Sequence, residues 1–161
     1  MTEEELKEYG ITALNDGLTL EKIKDKYSWV LMPKIKYAIL GEADDKLVWY
    51  GGEWKGGTWK GGIWLSGQWK KGIWNNGVWY GGVWSGGIWQ SGAWVGGVWR
   101  SGVWASGIWY GGVWRDGMWL TGEWYDGKWH KKQRQIFTMS ETTKKKIKSK
   151  GDLNNRIKQL F

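Results

Sequence analysis

Few side chains in this sequence could do covalent or acid–base chemistry, and their spacing argues against it. There is no cysteine, which excludes a thiol nucleophile, a disulfide and a Cys-based metal site. His130 is the one histidine, and no Asp, Cys or Ser stands at a fixed spacing to orient it as a general base. Four acids, Glu53, Asp116, Glu123 and Asp126, lie in the central part of the chain, too scattered to form a working carboxylate pair. No catalytic residue, cofactor, metal ligand or small-molecule substrate is expected. What remains is the chemistry of charge. Lys131, Lys132, Arg134, Lys144, Lys145, Lys146, Lys148 and Lys150 crowd the C-terminal part, where they could contact the phosphates of nucleic acid or lipid headgroups.

The element that must carry these side chains is a repeat. Seventeen tryptophans recur every fifth residue from Trp49 to Trp129, and sixteen of them follow a glycine by two residues. A fixed short period over half the chain prescribes a repeat architecture. On a helix, residues five apart leave one face, and each glycine would cost about 1 kcal/mol against alanine. On a straight strand, an odd period would send successive tryptophans to opposite faces. The chain must therefore turn once per repeat, at pairs such as Gly51-Gly52, Ser66-Gly67, Asn76-Gly77 and Asp116-Gly117, where glycine supplies positive φ.

Two folds satisfy that unit. A right-handed quadrilateral β-solenoid points every indole inward and stacks its coils in parallel. A coiled antiparallel β-meander joins the units by tight hairpins instead. The solenoid is favoured, because it buries the indoles without further help, and a platform of exposed tryptophans would have no core. The core ladder is then Trp54, Trp59, Trp64, Trp69, Trp74, Trp79, Trp84, Trp89, Trp94, Trp99, Trp104, Trp109, Trp114, Trp119 and Trp124.

Units such as Gly82-Val83-Trp84 and Gly112-Val113-Trp114 resemble the pentapeptide-repeat proteins, which carry a large central residue and a small one two positions earlier. The resemblance implies a square coil of four units, hence twenty residues per coil and four coils in the repeat. A lesser resemblance is to MORN repeats, through Tyr50-Gly-Gly-Glu-Trp54 and Gly122-Glu-Trp-Tyr-Asp-Gly127. The Gly-x-Trp units also look like those of uncharacterised tailed-phage proteins.

The residue before each tryptophan carries a second message. It is apolar ten times in succession, from Ile73 and Val78 to Val113 and Met118, and polar toward both ends. It should face away from the indole, so it draws an apolar belt of the kind that marks an interface. With a twenty-residue coil, one face collects Ile63, Val83 and Val103 before the tryptophans and Leu65 and Ala105 after them, and it holds no basic residue. Val78 and Val98 extend the belt beside it.

Three segments follow: a mainly helical N-terminal cap (1–48), the repeat solenoid (49–130) and a basic helical tail (131–161). Their net charges are −3, +3 and +8, summing to the +8 of the 161-residue chain. In the first segment Thr2 with Glu5 reads as a capping box and Thr19 as a helix cap. Trp29, Val30, Leu31, Ile35, Tyr37, Ile39 and Leu40 are the residues expected to cover the first coil. Ser140 and Asp152 could cap two helices in the tail.

The acidic start is unlike a signal peptide, and no apolar run approaches membrane-spanning length. The expected setting is the cytoplasm or a virus or phage particle. The function that fits is a non-catalytic structural or interaction module, a rigid rod docking through its belt into a homo-oligomer or larger assembly. The alternative is a sequence-independent nucleic-acid binder that uses the basic tail.

Overall fold

A computed structural model describes residues 3–129. The tail residues from Lys131 to Lys150, the helices expected after Ser140 and Asp152, His130 and the Thr2 half of the capping box lie outside them.

The repeat is an all-β parallel solenoid. After β1 (Ile11–Leu14), β2 (Lys34–Ala43) and the long β3 (Lys46–Gly56) come fifteen two-residue strands, from β4 (Thr58–Trp59) to β18 (Lys128–Trp129). Each strand pairs in parallel with the strand fifteen residues on: Trp49 with Trp64, Trp64 with Trp79, Trp79 with Trp94. Two backbone hydrogen bonds hold each step, as in Val78 N–H to Gly62 O (3.0 Å) and Tyr80 N–H to Trp64 O (2.8 Å).

A fifteen-residue coil has three sides. The expected square coil of twenty residues is thus corrected: units of five close in threes, and the repeat makes just over five coils rather than four. Side 1 carries Trp49, Trp64, Trp79, Trp94, Trp109 and Trp124; side 2 carries Trp54, Trp69, Trp84, Trp99, Trp114 and Trp129; side 3 carries Trp59, Trp74, Trp89, Trp104 and Trp119. Within the first coil all three indoles touch edge-to-face, with centroids at 5.9, 5.9 and 6.5 Å. The second coil repeats this at 6.0, 6.0 and 6.5 Å. Three indoles can all meet one another, whereas four on a square cannot, and the glycines bring no side chain to fill a square's middle.

Along the axis the indoles stack, with centroids 4.7–5.1 Å apart and planes within 4–8° of parallel. That is the spacing of neighbouring strands, so one backbone repeat sets both ladders. All seventeen are buried. Five indole N–H groups, those of Trp59, Trp69, Trp84, Trp99 and Trp109, donate to the carbonyl seventeen residues on, at 3.1–3.2 Å. Eight others, including Trp74 and Trp89, are buried without a partner in hydrogen-bond geometry.

The N-terminal flank divides between helix and strand instead of being mainly helical, and β3 runs through the expected boundary at residue 48. It holds α1 (Glu3–Glu8), α2 (Leu20–Lys26), a 3-10 turn (Ser28–Leu31) and the β2–β3 hairpin. Asp44 and Asp45, both at positive φ (50° and 60°), make the hairpin's tight turn. Strand β3 straddles the first corner. One edge pairs in parallel with the second coil and the other takes β2 antiparallel, so β2 closes the open edge of sides 1 and 2. On side 3, Trp29 meets Trp59 edge-on at 5.1 Å. Of the expected covering residues, Val30, Ile35 and Leu40 are buried and Trp29 and Leu31 pack against the core. Tyr37 instead points outward, at positive φ where β2 slips register.

An ionic clamp ties α2 to this hairpin. Both Lys22 and the Tyr27 hydroxyl donate to the Glu42 carboxylate, and Lys26 donates to Asp45 at 2.8 Å. The Lys22 ammonium, then the Tyr27 hydroxyl, hold Glu42 below its ordinary range; burial, then Glu42, pushes Tyr27 up to about 12. A depressed carboxyl stabilises above its ordinary value of 4.5 and stops doing so as pH falls through the lowered one. A raised phenol stabilises fully below its ordinary 10.0 and stops doing so as pH climbs toward about 12. Hydrogen-exchange protection factors of the α2 amides should therefore plateau between those limits and fall at both ends. Glu42→Gln should remove most of the acid limb; an unchanged acid limb would show that the clamp does not hold α2.

Candidate functional site

The fifteen-residue register decides which outward side chains share a face. On side 1 the column before the tryptophans reads Val48, Ile63, Val78, Ala93, Ile108 and Glu123, and the column after them Tyr50, Leu65, Tyr80, Val95, Tyr110 and Tyr125. On side 3 the columns read Thr58, Ile73, Ile88, Val103 and Met118, then Lys60, Asn75, Gln90, Ala105 and Leu120. On side 2 they read Glu53, Gln68, Val83, Val98, Val113 and Lys128, then Lys55, Lys70, Ser85, Arg100 and Arg115.

The expected face is therefore dispersed. Ile63, Leu65 and Val78 lie on side 1, Val103 and Ala105 on side 3, and Val83 and Val98 on side 2 beside the cations. A charge-free surface exists all the same, in another place. Between Gly61 and Tyr110 the charged residues are Lys70, Lys71 and Arg100, and all three sit on side 2 or at the corner that follows it. Sides 1 and 3, with the corner they share, form one continuous uncharged surface over the middle coils. Tyr80 (49%), Tyr110 (41%), Ile88 (39%) and Val95 (37%) are its exposed large side chains. The other belt residues are half-buried, because the coils above and below cover their flanks.

A shallow groove of about 700 Å³ follows that shared corner, between Lys60, Asn76, Ser91, Ile63, Val78 and Tyr80. Its lining is mostly glycine backbone and aliphatic side chain, with Lys46, Lys60 and Tyr80 as the titratable groups. Among the described residues no three His, Cys, Asp or Glu side chains converge to hold a metal ion. The four acids of the repeat occupy four places: Glu53 on side 2, Glu123 on side 1, and Asp116 and Asp126 at corners. The two corner aspartates accept the N–H of the next residue, Gly117 and Gly127, at 2.8 and 2.7 Å, which stabilises the turns. No described helix is long and apolar enough to cross a membrane.

No known protein family, curated protein or solved structure matches this chain. Function has to be argued from its surface alone.

Both surface patterns appear with a coil of fifteen residues and are hidden by the expected coil of twenty. The signal was present at spacing fifteen. Tyr50, Tyr80, Tyr110 and Tyr125 differ by multiples of fifteen, and so do Lys55 and Lys70, and Arg100 and Arg115.

Proposed function

We propose that this chain is a non-catalytic interaction module, a rigid tryptophan-cored prism that docks through sides 1 and 3 onto a second copy or into a larger assembly such as a virus particle. The observation that supports it is the segregation of charge by side. Solvation alone gives no reason to clear two adjacent sides of charge over the middle coils and keep cations on the third. An interface does, since interface centres exclude Lys and Asp and favour tyrosine. One side over five coils measures roughly 24 by 16 Å, about 400 Å² in projection, half of what a partner buries in a standard interface. Two sides meeting at a corner reach that size over all five coils, with the uncharged stretch from Gly61 to Tyr110 as the centre and Lys60 and Glu123 at the rim, so the partner must wrap the corner between them.

Sedimentation at rising concentration should give a mass above the 18.6 kDa of one chain. Tyr80→Lys with Tyr110→Lys should return the monomer while tryptophan emission stays blue-shifted. Val83→Lys with Val98→Lys, on side 2, should leave association intact. A wild-type chain that stays monomeric at high concentration and joins no large assembly would refute the reading, and the apolar belt would then be there for strand propensity alone.

A further inference from the structure

We infer that side 2 is a binding face for the phosphodiester backbone of duplex nucleic acid, with Lys55, Lys70, Arg100 and Arg115 as its contacts. Parallel pairing in register places these four in one column of the side, one per coil, with Ser85 in the middle coil. Successive indoles of this side stay within 5–7° of parallel, and the in-register pairing carries the column along the axis. At about 4.8 Å per coil it is roughly 19 Å long. Duplex DNA carries a charge every ~1.7 Å of axis, both strands counted, so such a line spans a length holding on the order of ten phosphate charges and faces a part of them.

All four cations are exposed, and none forms an ion pair with a described residue; the described ion pairs lie in the N-terminal clamp. Lys71 adds a fifth exposed cation at the corner. The nearby acids are Glu53, at the capped end, and Asp116, whose Oδ1 is engaged by Gly117 N–H. Trp129, the last described residue, is on side 2, and the sequence 131–161 that follows holds ten basic residues against two acidic.

The form of the ladder selects the ligand. A bilayer would be met by a plane of cations with aromatic side chains at headgroup level, whereas side 2 is single-file and has no outward aromatic residue. Base stacking is absent for the same reason: every ladder indole is buried and the exposed tyrosines of the repeat are on side 1. Contact is then with backbone only, without sequence preference, and favours the higher charge density of a duplex. This assignment is independent of docking through sides 1 and 3.

The test is the salt dependence of full-length chain binding to a random-sequence DNA duplex, read by fluorescence anisotropy. Neutralising the ladder (Lys55→Gln, Lys70→Gln, Arg100→Gln, Arg115→Gln) should lower the slope of log K against log salt by about 3–4, and weaken binding at low salt by about tenfold or more. Exchanging Lys and Arg at the same four positions should preserve the slope. Blue-shifted tryptophan emission confirms that each variant is folded. A slope unchanged by neutralisation would place binding in the tail and overturn the assignment. So would no duplex binding at low salt, or binding to vesicles of anionic phospholipid without binding to duplex.

Discussion

Replacing Trp84 by alanine is expected to cost about 3–5 kcal/mol, the range for a large aromatic side chain lost from a close-packed core. The site has no way to collapse. Trp84 is fully buried, stacked between Trp69 at 4.7 Å and Trp99 at 4.8 Å, and held edge-on by Trp79 and Trp89 at 6.0 and 5.9 Å. Its N–H also caps the Ser101 carbonyl at 3.1 Å, so truncation leaves that acceptor without the bond. The stacked rings cannot close the gap, because the backbone ladder fixes the distance between coils. Trp129→Ala should cost clearly less, since that ring lies at the end of the described ladder and is already 8% exposed. Urea unfolding of both variants measures the difference. A cost below about 1 kcal/mol at Trp84 would mean that the coils do not stack as described.

That contrast between centre and end follows from a quasi-one-dimensional architecture, in which each coil leans only on its neighbours. The cap matters for the same reason. A parallel coil with an open edge is a template for another chain, and β2 with Trp29 covers that edge on all three sides of the first coil.

The repeat was legible because five is an odd number and glycine is the residue that turns. From Trp49 to Trp129 those two facts force a once-per-unit turn, inward indoles and parallel stacking. Thr19 was legible as well, and its hydroxyl accepts the Lys22 N–H at 3.1 Å to start α2. The number of sides was not legible from residue volumes matched against a square coil. It depends on three indoles meeting edge-to-face, which is a property of ring shape. That one unknown scrambled the surface. With twenty residues per coil, Lys55 and Arg115 share one face while Lys70 and Arg100 fall on two others; with fifteen all four fall into one column. The β2–β3 hairpin was hidden differently. Asp44-Asp45 is an available turn signal, but β2 slips register around Tyr37, and its alternation is broken there.

The dipeptide Gly86-Gly87 should separate two effects of glycine by one methyl group each. At Gly87 the backbone has φ +110°, where an L side chain is strained by about 1–2 kcal/mol. An added Cβ would also stand 2.2 Å from the carbonyl oxygen of Gly72 and 2.8 Å from its nitrogen, one coil below. Both are backbone atoms, so no rotamer change relieves the overlap; two coils would have to part, and the ring stacks beside them would open too. Gly87→Ala should therefore cost at least about 3 kcal/mol, strain and overpacking together. At Gly86 the nearest atom to an added Cβ is the Lys70 carbonyl oxygen, at an ordinary 3.6 Å, and φ is not in the left-handed region. Gly86→Ala should be neutral, or stabilising by up to about 1 kcal/mol through the lower entropy of the unfolded chain. The sequence already follows this division: the first corner position takes Ser66, Lys71, Asn76 or Asp116 as readily as glycine, while the second is glycine in every unit. Equal effects from the two substitutions in urea unfolding would overturn the account, because only the close approach of successive coils distinguishes the two sites.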